Sequence, residues 1–180
     1  MSMPSGFVKC HGCDFEGVMQ RRPITLQYHL PNGQIVEGYR RFAWCSSCGN
    51  VTEAEEVLEL ASIQAEIDSA NSSRQGFFTR ILDKVLGGGD TGRRERNRLT
   101  AKLMLAQMRR SPPRCLRCGG ATVHMLAFDG NGTSNIVHSC GSRLYAVPED
   151  PDAPRFFYKS EVIALDPEGH RLDQIENKRL

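Results

Sequence analysis

The sequence predicts an α+β protein, with two small β-rich metal-binding modules flanking a helical middle segment. The boundaries fall at residues 1–51, 52–111 and 112–180. Three observations predict this. Cys10 and Cys13, Cys45 and Cys48, and Cys115 and Cys118 form three C-x-x-C pairs, and Cys140 follows His138 in an H-x-C-G string. Apolar Ile24, Leu26, Tyr28 and Leu30 alternate with Thr25, Gln27 and His29, the period of a half-buried strand. Between the second and third cysteine pairs the apolar residues shift to helical spacing.

Bulk composition points to metal as a source of stability. The chain has 180 residues, of which 39% are hydrophobic, and few aromatics. Two ribbons of roughly 50 residues each cannot bury enough apolar surface to stand alone, and a bound metal supplies the difference. The first residues, MSMPSGFVK, lack a signal-peptide core, and no apolar run approaches the ~18–20 residues that span a bilayer. The expected compartment is therefore the cytoplasm, where thiols stay reduced and C-x-x-C pairs bind metal rather than form disulfides.

In the first module, Pro31-Asn32-Gly33 is a turn, because proline presets φ and asparagine and glycine accept the left-handed conformation. Residues 34–44 then return as a second strand ending at Cys45. Residues 52–70 read as a helix, with Thr52 and Glu55 as a capping box and Glu53, Glu55 and Glu56 in the first turn. Asn71-Ser72-Ser73 breaks it. A short helix over 74–86, with Phe77 and Phe78 on its apolar face, ends at Gly87-Gly88-Gly89 and either packs into the core or moves as a unit. A third helix spans 93–110, basic at its start and apolar nearly all round in its second half; Ser111-Pro112-Pro113 closes it. In the last segment, strands are expected at 121–128, 135–139, 143–147 and 155–165, with turns at 129–132 and 166–169.

The cysteine count sets the metal chemistry. Seven cysteines and one histidine make two four-donor sets. Sequence order assigns Cys10, Cys13, Cys45 and Cys48 to the first site, and Cys115, Cys118, His138 and Cys140 to the second. Two residues between paired cysteines let both sulfurs reach one ion at about 2.3 Å. A shell of four such donors leaves no position for substrate, so two structural Zn(2+) are expected. In the second site His138 and Cys140 point to the same side of an extended segment. His138 is the preferred fourth donor, with His124, water or another group as alternatives. The paired knuckles joined by a β-hairpin resemble the zinc-ribbon superfamily over residues 10–49 and, with the histidine substitution, over 115–141. That resemblance implies metal ligands and a β-hairpin fold; its members include transcription and translation factors, ribosomal proteins and protein-docking modules, so it implies no single activity.

Nothing in the chain forms a nucleophile elbow, a phosphate loop, a dinucleotide fingerprint or an H-E-x-x-H zinc helix. The protein is therefore expected not to be an enzyme, and no small-molecule substrate is evident. Charge is the remaining guide. Residues 51–70 carry −6 and residues 71–118 carry +9 within a chain of net charge +2. The acidic block either neutralises the basic one inside the fold or leaves a basic patch for phosphates. The candidate nucleic-acid contacts are Arg93, Arg94, Arg96, Arg98, Lys102, Arg109, Arg110, Arg114 and Arg117, with Arg21, Arg22, Arg40 and Arg41 as a second patch if the hairpin gathers them. Nucleic-acid association is the first expectation. The alternative is a protein–protein adaptor or self-associating scaffold, a homo-oligomer included, using the apolar helices.

Overall fold

In the computed structural model, the described residues are 2–3, 5–20, 22–72, 89–147, 156–157 and 159–173. The expected helix over 74–86 lies outside them. The strands are β1 (Ser2–Met3), β2 (Ser5–Cys10), β3 (Glu16–Gln20), β4 (Ile24–His29), β5 (Ile35–Cys45), β6 (Asn50–Glu56), β7 (Val123–Met125), β8 (Thr133–Val137), β9 (Arg143–Val147), β10 (Phe156–Phe157) and β11 (Glu161–Leu165). The helices are α1 (Leu60–Ser72) and α2 (Gly89–Met108). The α+β class is as the sequence predicts.

The longest strand, β5, organises one sheet of order β11-β4-β5-β6. The β4–β5 hairpin forms as its alternation requires: Ile24, Leu26, Tyr28 and Leu30 are buried while Thr25 is exposed. At its turn Gly33 takes φ +82°, and Leu30 and Gln34 close the loop through backbone hydrogen bonds. At Gly38 a methyl group would lie 2.5 Å from the Tyr28 ring, so the two strands can cross closely only with glycine there. Beyond Gly38, β5 pairs with β6 from Tyr39 to Cys45, and Ala43–Cys45 also pair with β7. The second sheet has order β3-β2-β9-β8. A short pairing of β1 with β10 stands apart.

The two ends of the chain share both sheets, which differs from the predicted flanking arrangement. β2 pairs antiparallel with β9, and β11 runs parallel to β4. One core lies between α2 and the larger sheet: Ala101, Met104, Leu105 and Met108 meet Leu26, Tyr28, Val36, Ile163 and Leu165. The apolar side of α2 is thus taken up by the chain's own sheet. A second core, around Val8, Val51, Ile136 and Leu144, packs with Phe15, Phe42 and Trp44.

Residues 52–56 are a correction to the sequence reading. They form β6, not the first turns of a helix, and α1 begins at Leu60. The Glu-Ala-Glu-Glu run favours a helix locally, but seven paired positions along β5 override that preference. Each glutamate also finds an arginine: Glu53 pairs with Arg22 and Arg40, Glu55 with Arg109, and Glu56 with Arg41. Helix α2 begins at Gly89 rather than residue 93. Among the described residues no helix is long and apolar enough to cross a membrane.

Candidate metal centres

Sheet pairing decides which knuckles meet. Because β2 lies beside β9, the Cys10–Cys13 turn faces the His138–Cys140 turn. Because β5 lies beside β6 and β7, the Cys45–Cys48 turn faces the Cys115–Cys118 turn. The result is two clusters, Cys10/Cys13/His138/Cys140 and Cys45/Cys48/Cys115/Cys118, each with all four ligand atoms within 4.8 Å of one another. The eight residues that cluster are the candidate donors the sequence names, but they are partitioned differently. The outer pairs join, and the inner pairs join within them.

The local backbone explains why each knuckle holds its shape. Gly49, Gly119 and Gly141 follow their knuckles with φ of 59°, 73° and 88°, a conformation glycine takes without steric cost. Each accepts the tight turn through its own N–H: Gly49 donates to Ser46, Gly119 to Cys115 and Gly141 to His138. Backbone N–H groups also point at sulfur. Gly12 donates to Cys10 Sγ, Arg117 to Cys115 Sγ and Gly120 to Cys118 Sγ, each at 3.4 Å. Such donors favour the thiolate, the form that ligates.

The spacing fits one tetrahedral ion per cluster. Two thiolates on a zinc ion would sit about 3.8 Å apart, and a thiolate and an imidazole nitrogen about 3.6 Å. The inner cluster has Cys45–Cys118 at 3.6 Å and Cys48–Cys115 at 3.9 Å. In the outer cluster Cys10–Cys140 is 3.3 Å, and His138 Nδ1 lies 3.4 Å from both Cys13 and Cys140. Charge makes the same case. Burial first, then neighbouring thiols, push Cys48 up, while Cys140 is held down to about 6, first by His138 and then by the Ser142 backbone. Burial also pushes against ionisation of Cys115, but the Thr52 hydroxyl and knuckle N–H groups more than offset it, bringing it to about 7. Thiols this close divide into protonated and ionised members; only a cation lets all of them ionise together.

The aromatic surroundings were not legible as part of the site. The His138 ring stacks on Phe15 at 4.8 Å and meets Trp44 edge-on at 5.6 Å. These contacts fix the imidazole plane with Nδ1 toward the thiols. The only cue in sequence was the position of Trp44 next to Cys45 and of Phe15 two residues past Cys13. His124 sits exposed on β7 opposite Trp44, outside both clusters. A His138→Ala variant is expected to lower bound metal from two ions per chain to about one, while His124→Ala leaves it at two. Elemental analysis of the purified variants reads this directly. Trp44 is the single tryptophan, so its emission should also change when the outer centre is emptied.

The basic candidates divide. Arg109 and Lys102 are turned inward, with side chains only 4% exposed, onto Glu55 and Glu66. Arg98 bridges Glu95 and Glu66, and Arg114 donates to the backbone oxygens of Glu168 and Gly119. Arg93, Arg94, Arg96, Arg110 and Arg117 are exposed. In the hairpin, Arg22, Arg40 and Arg41 pair with Glu53, Glu161 and Glu56, while Arg21 lies outside the described residues. No protein-family model matches the chain, and neither the curated proteins nor the solved structures contain a match.

Proposed function

We propose that this chain is a zinc-stabilised, non-enzymatic binding protein that contacts nucleic acid through the arginines its fold leaves on the surface. One observation supports the metal part most: eight donors fall into two four-donor clusters at tetrahedral spacing, with no cysteine left over. Soft thiolates in such sets select zinc over oxygen-seeking cations. Four protein donors close the shell, so each ion is structural and offers no position to a substrate.

The partner reading rests on Arg93, Arg94, Arg96, Arg110 and Arg117, which lie on the surface, where the planar guanidinium suits phosphate. The other four candidates serve internal pairs and backbone contacts, so the electrostatic footprint is small. Binding to a single-stranded or duplex oligonucleotide should therefore weaken moderately with salt. The slope of log affinity against log salt is expected to be no steeper than about −4.5, the value for five phosphate contacts on duplex. Combined Arg93→Ala, Arg94→Ala and Arg96→Ala substitutions should flatten it by about 2 to 3. Fluorescence anisotropy across a salt series makes the measurement. Affinity that ignores salt, or a triple variant that binds as the parent does, would overturn the nucleic-acid assignment while leaving the metal reading intact.

A further inference from the structure

We propose that the outer centre is an oxidation site, at which a hydroperoxide joins Cys10 and Cys140 as a disulfide and releases the metal. This rests on the zinc reading above. Three features of the two clusters separate them. Cys10 and Cys140 bring their sulfurs to 3.3 Å across the outer cluster, against 3.6 Å for Cys45–Cys118 and 3.9 Å for Cys48–Cys115 across the inner one. The outer cluster presents two exposed thiols, Cys13 and Cys140, where the inner presents only Cys118. Inner Cys45 and Cys115 are 0% and 1% exposed, sealed beneath their knuckles.

The chemistry balances with the oxidant named. The Cys140 thiolate attacks the distal oxygen of the hydroperoxide, forming a sulfenic acid and expelling water or an alcohol after proton uptake. The Cys10 thiolate then attacks the Cys140 sulfur, expels hydroxide and closes the S–S bond. Two thiolates lose two electrons in all, and the peroxide bond is reduced. Two of the four donors are then gone. Cys13 and His138 alone do not complete a zinc shell, so the ion leaves. The new bond ties the same two knuckles that the metal tied, so β2 and β9 stay joined.

The test uses the full chain loaded to two zinc ions and treated with hydrogen peroxide in the presence of a colorimetric zinc chelator, with disulfides mapped by mass spectrometry. One ion per chain should appear at least about tenfold faster than the second, following thiolate access. The first disulfide should be Cys10–Cys140. Simultaneous release of both ions, or a first disulfide among Cys45, Cys48, Cys115 and Cys118, would overturn the proposal. A Cys140→His variant keeps four donors but removes the reacting pair, and its fast phase should vanish. If that variant does not fold, the order of disulfides in the parent chain still decides. Metal content measured beforehand separates the two readings: a folded chain without zinc ends the zinc assignment, and its disulfide order still reads the oxidation site.

Discussion

Stripping both ions from the purified chain is expected to unfold it. A structural zinc site contributes about 10–16 kcal/mol of apparent binding free energy at neutral pH, and the whole stability of a domain this size is about 5–15 kcal/mol. Loss of one ion therefore reaches the scale of the entire fold. The nesting of the clusters sets which loss matters more. The inner centre would tie β5 to the Cys115 knuckle, a junction across which Glu55 and Arg114, Leu116 and Glu53, and Ser46 and Thr122 are hydrogen-bonded. The outer centre would tie the β2–β3 hairpin to the β8–β9 hairpin of the smaller sheet, a junction that β2–β9 pairing also holds. Cys115→Ser should thus abolish cooperative melting, while Cys140→Ser should leave a chain that still melts cooperatively at a lower temperature. Acid acts in the same direction as a chelator, because protons compete with metal for thiolate. Circular dichroism melts with and without EDTA, followed by zinc re-addition, make the measurement. A metal-free chain that melts within a few degrees of the loaded one would remove metal from the account of stability.

The candidate ligands that cluster were legible in sequence and their partners were not, for a reason that lies in geometry. A C-x-x-C turn specifies that two sulfurs point at one ion; it carries no information about which second turn completes the shell. Proximity along the chain favours Cys10/Cys13 with Cys45/Cys48. Sheet order overrules it, because β9 rather than β5 lies beside β2. That order depends on long-range pairing between Phe7–Cys10 and Leu144–Val147, which no local pattern encodes. Thr52–Glu56 misled in a related way. Its residues satisfy every local rule for a helix start, yet Thr52 ends 3.2 Å from Cys115 Sγ and Glu55 is wholly buried. The opposed charge blocks were legible as blocks. Which arginines would be consumed was not, since that depends on Glu55 and Glu66 lying opposite α2.

Replacing Arg109 by alanine should cost about 3–5 kcal/mol, because it would leave a carboxylate buried without its cation. Glu55 has no exposed surface. Its two oxygens accept from four donors: the Tyr28 hydroxyl at 2.5 Å, Arg109 Nη1 at 3.0 Å, Arg109 Nη2 at 2.5 Å and the Arg114 backbone at 2.8 Å. Arg109 is as fully engaged, since it also donates to the carbonyl oxygens of Ser111, Pro112 and Pro167. Burial works against its charge, but Glu55 more than offsets this and holds the guanidinium protonated. Burial and the same carboxylate keep the Tyr28 hydroxyl protonated, and so a donor. One pair therefore clamps β4, β6, the end of α2 and the turn that follows β11. Lysine at 109 keeps the charge but not the planar fork, so it should recover only part of the loss. The apolar double variant Glu55→Met with Arg109→Met should be less destabilised than Arg109→Ala alone, because it leaves no charge behind. Gly169 tests the same contact from outside: its φ is +75°, and a methyl there would lie 2.4 Å from Glu55 Oε1. Gly169→Ala should therefore destabilise through both backbone strain and displacement of the ion pair. Urea unfolding of the zinc-loaded variants gives each value, and a double-mutant cycle isolates the coupling. A cycle showing less than about 0.5 kcal/mol between Glu55 and Arg109 would mean that the pair is an incidental contact rather than the clamp that joins these elements.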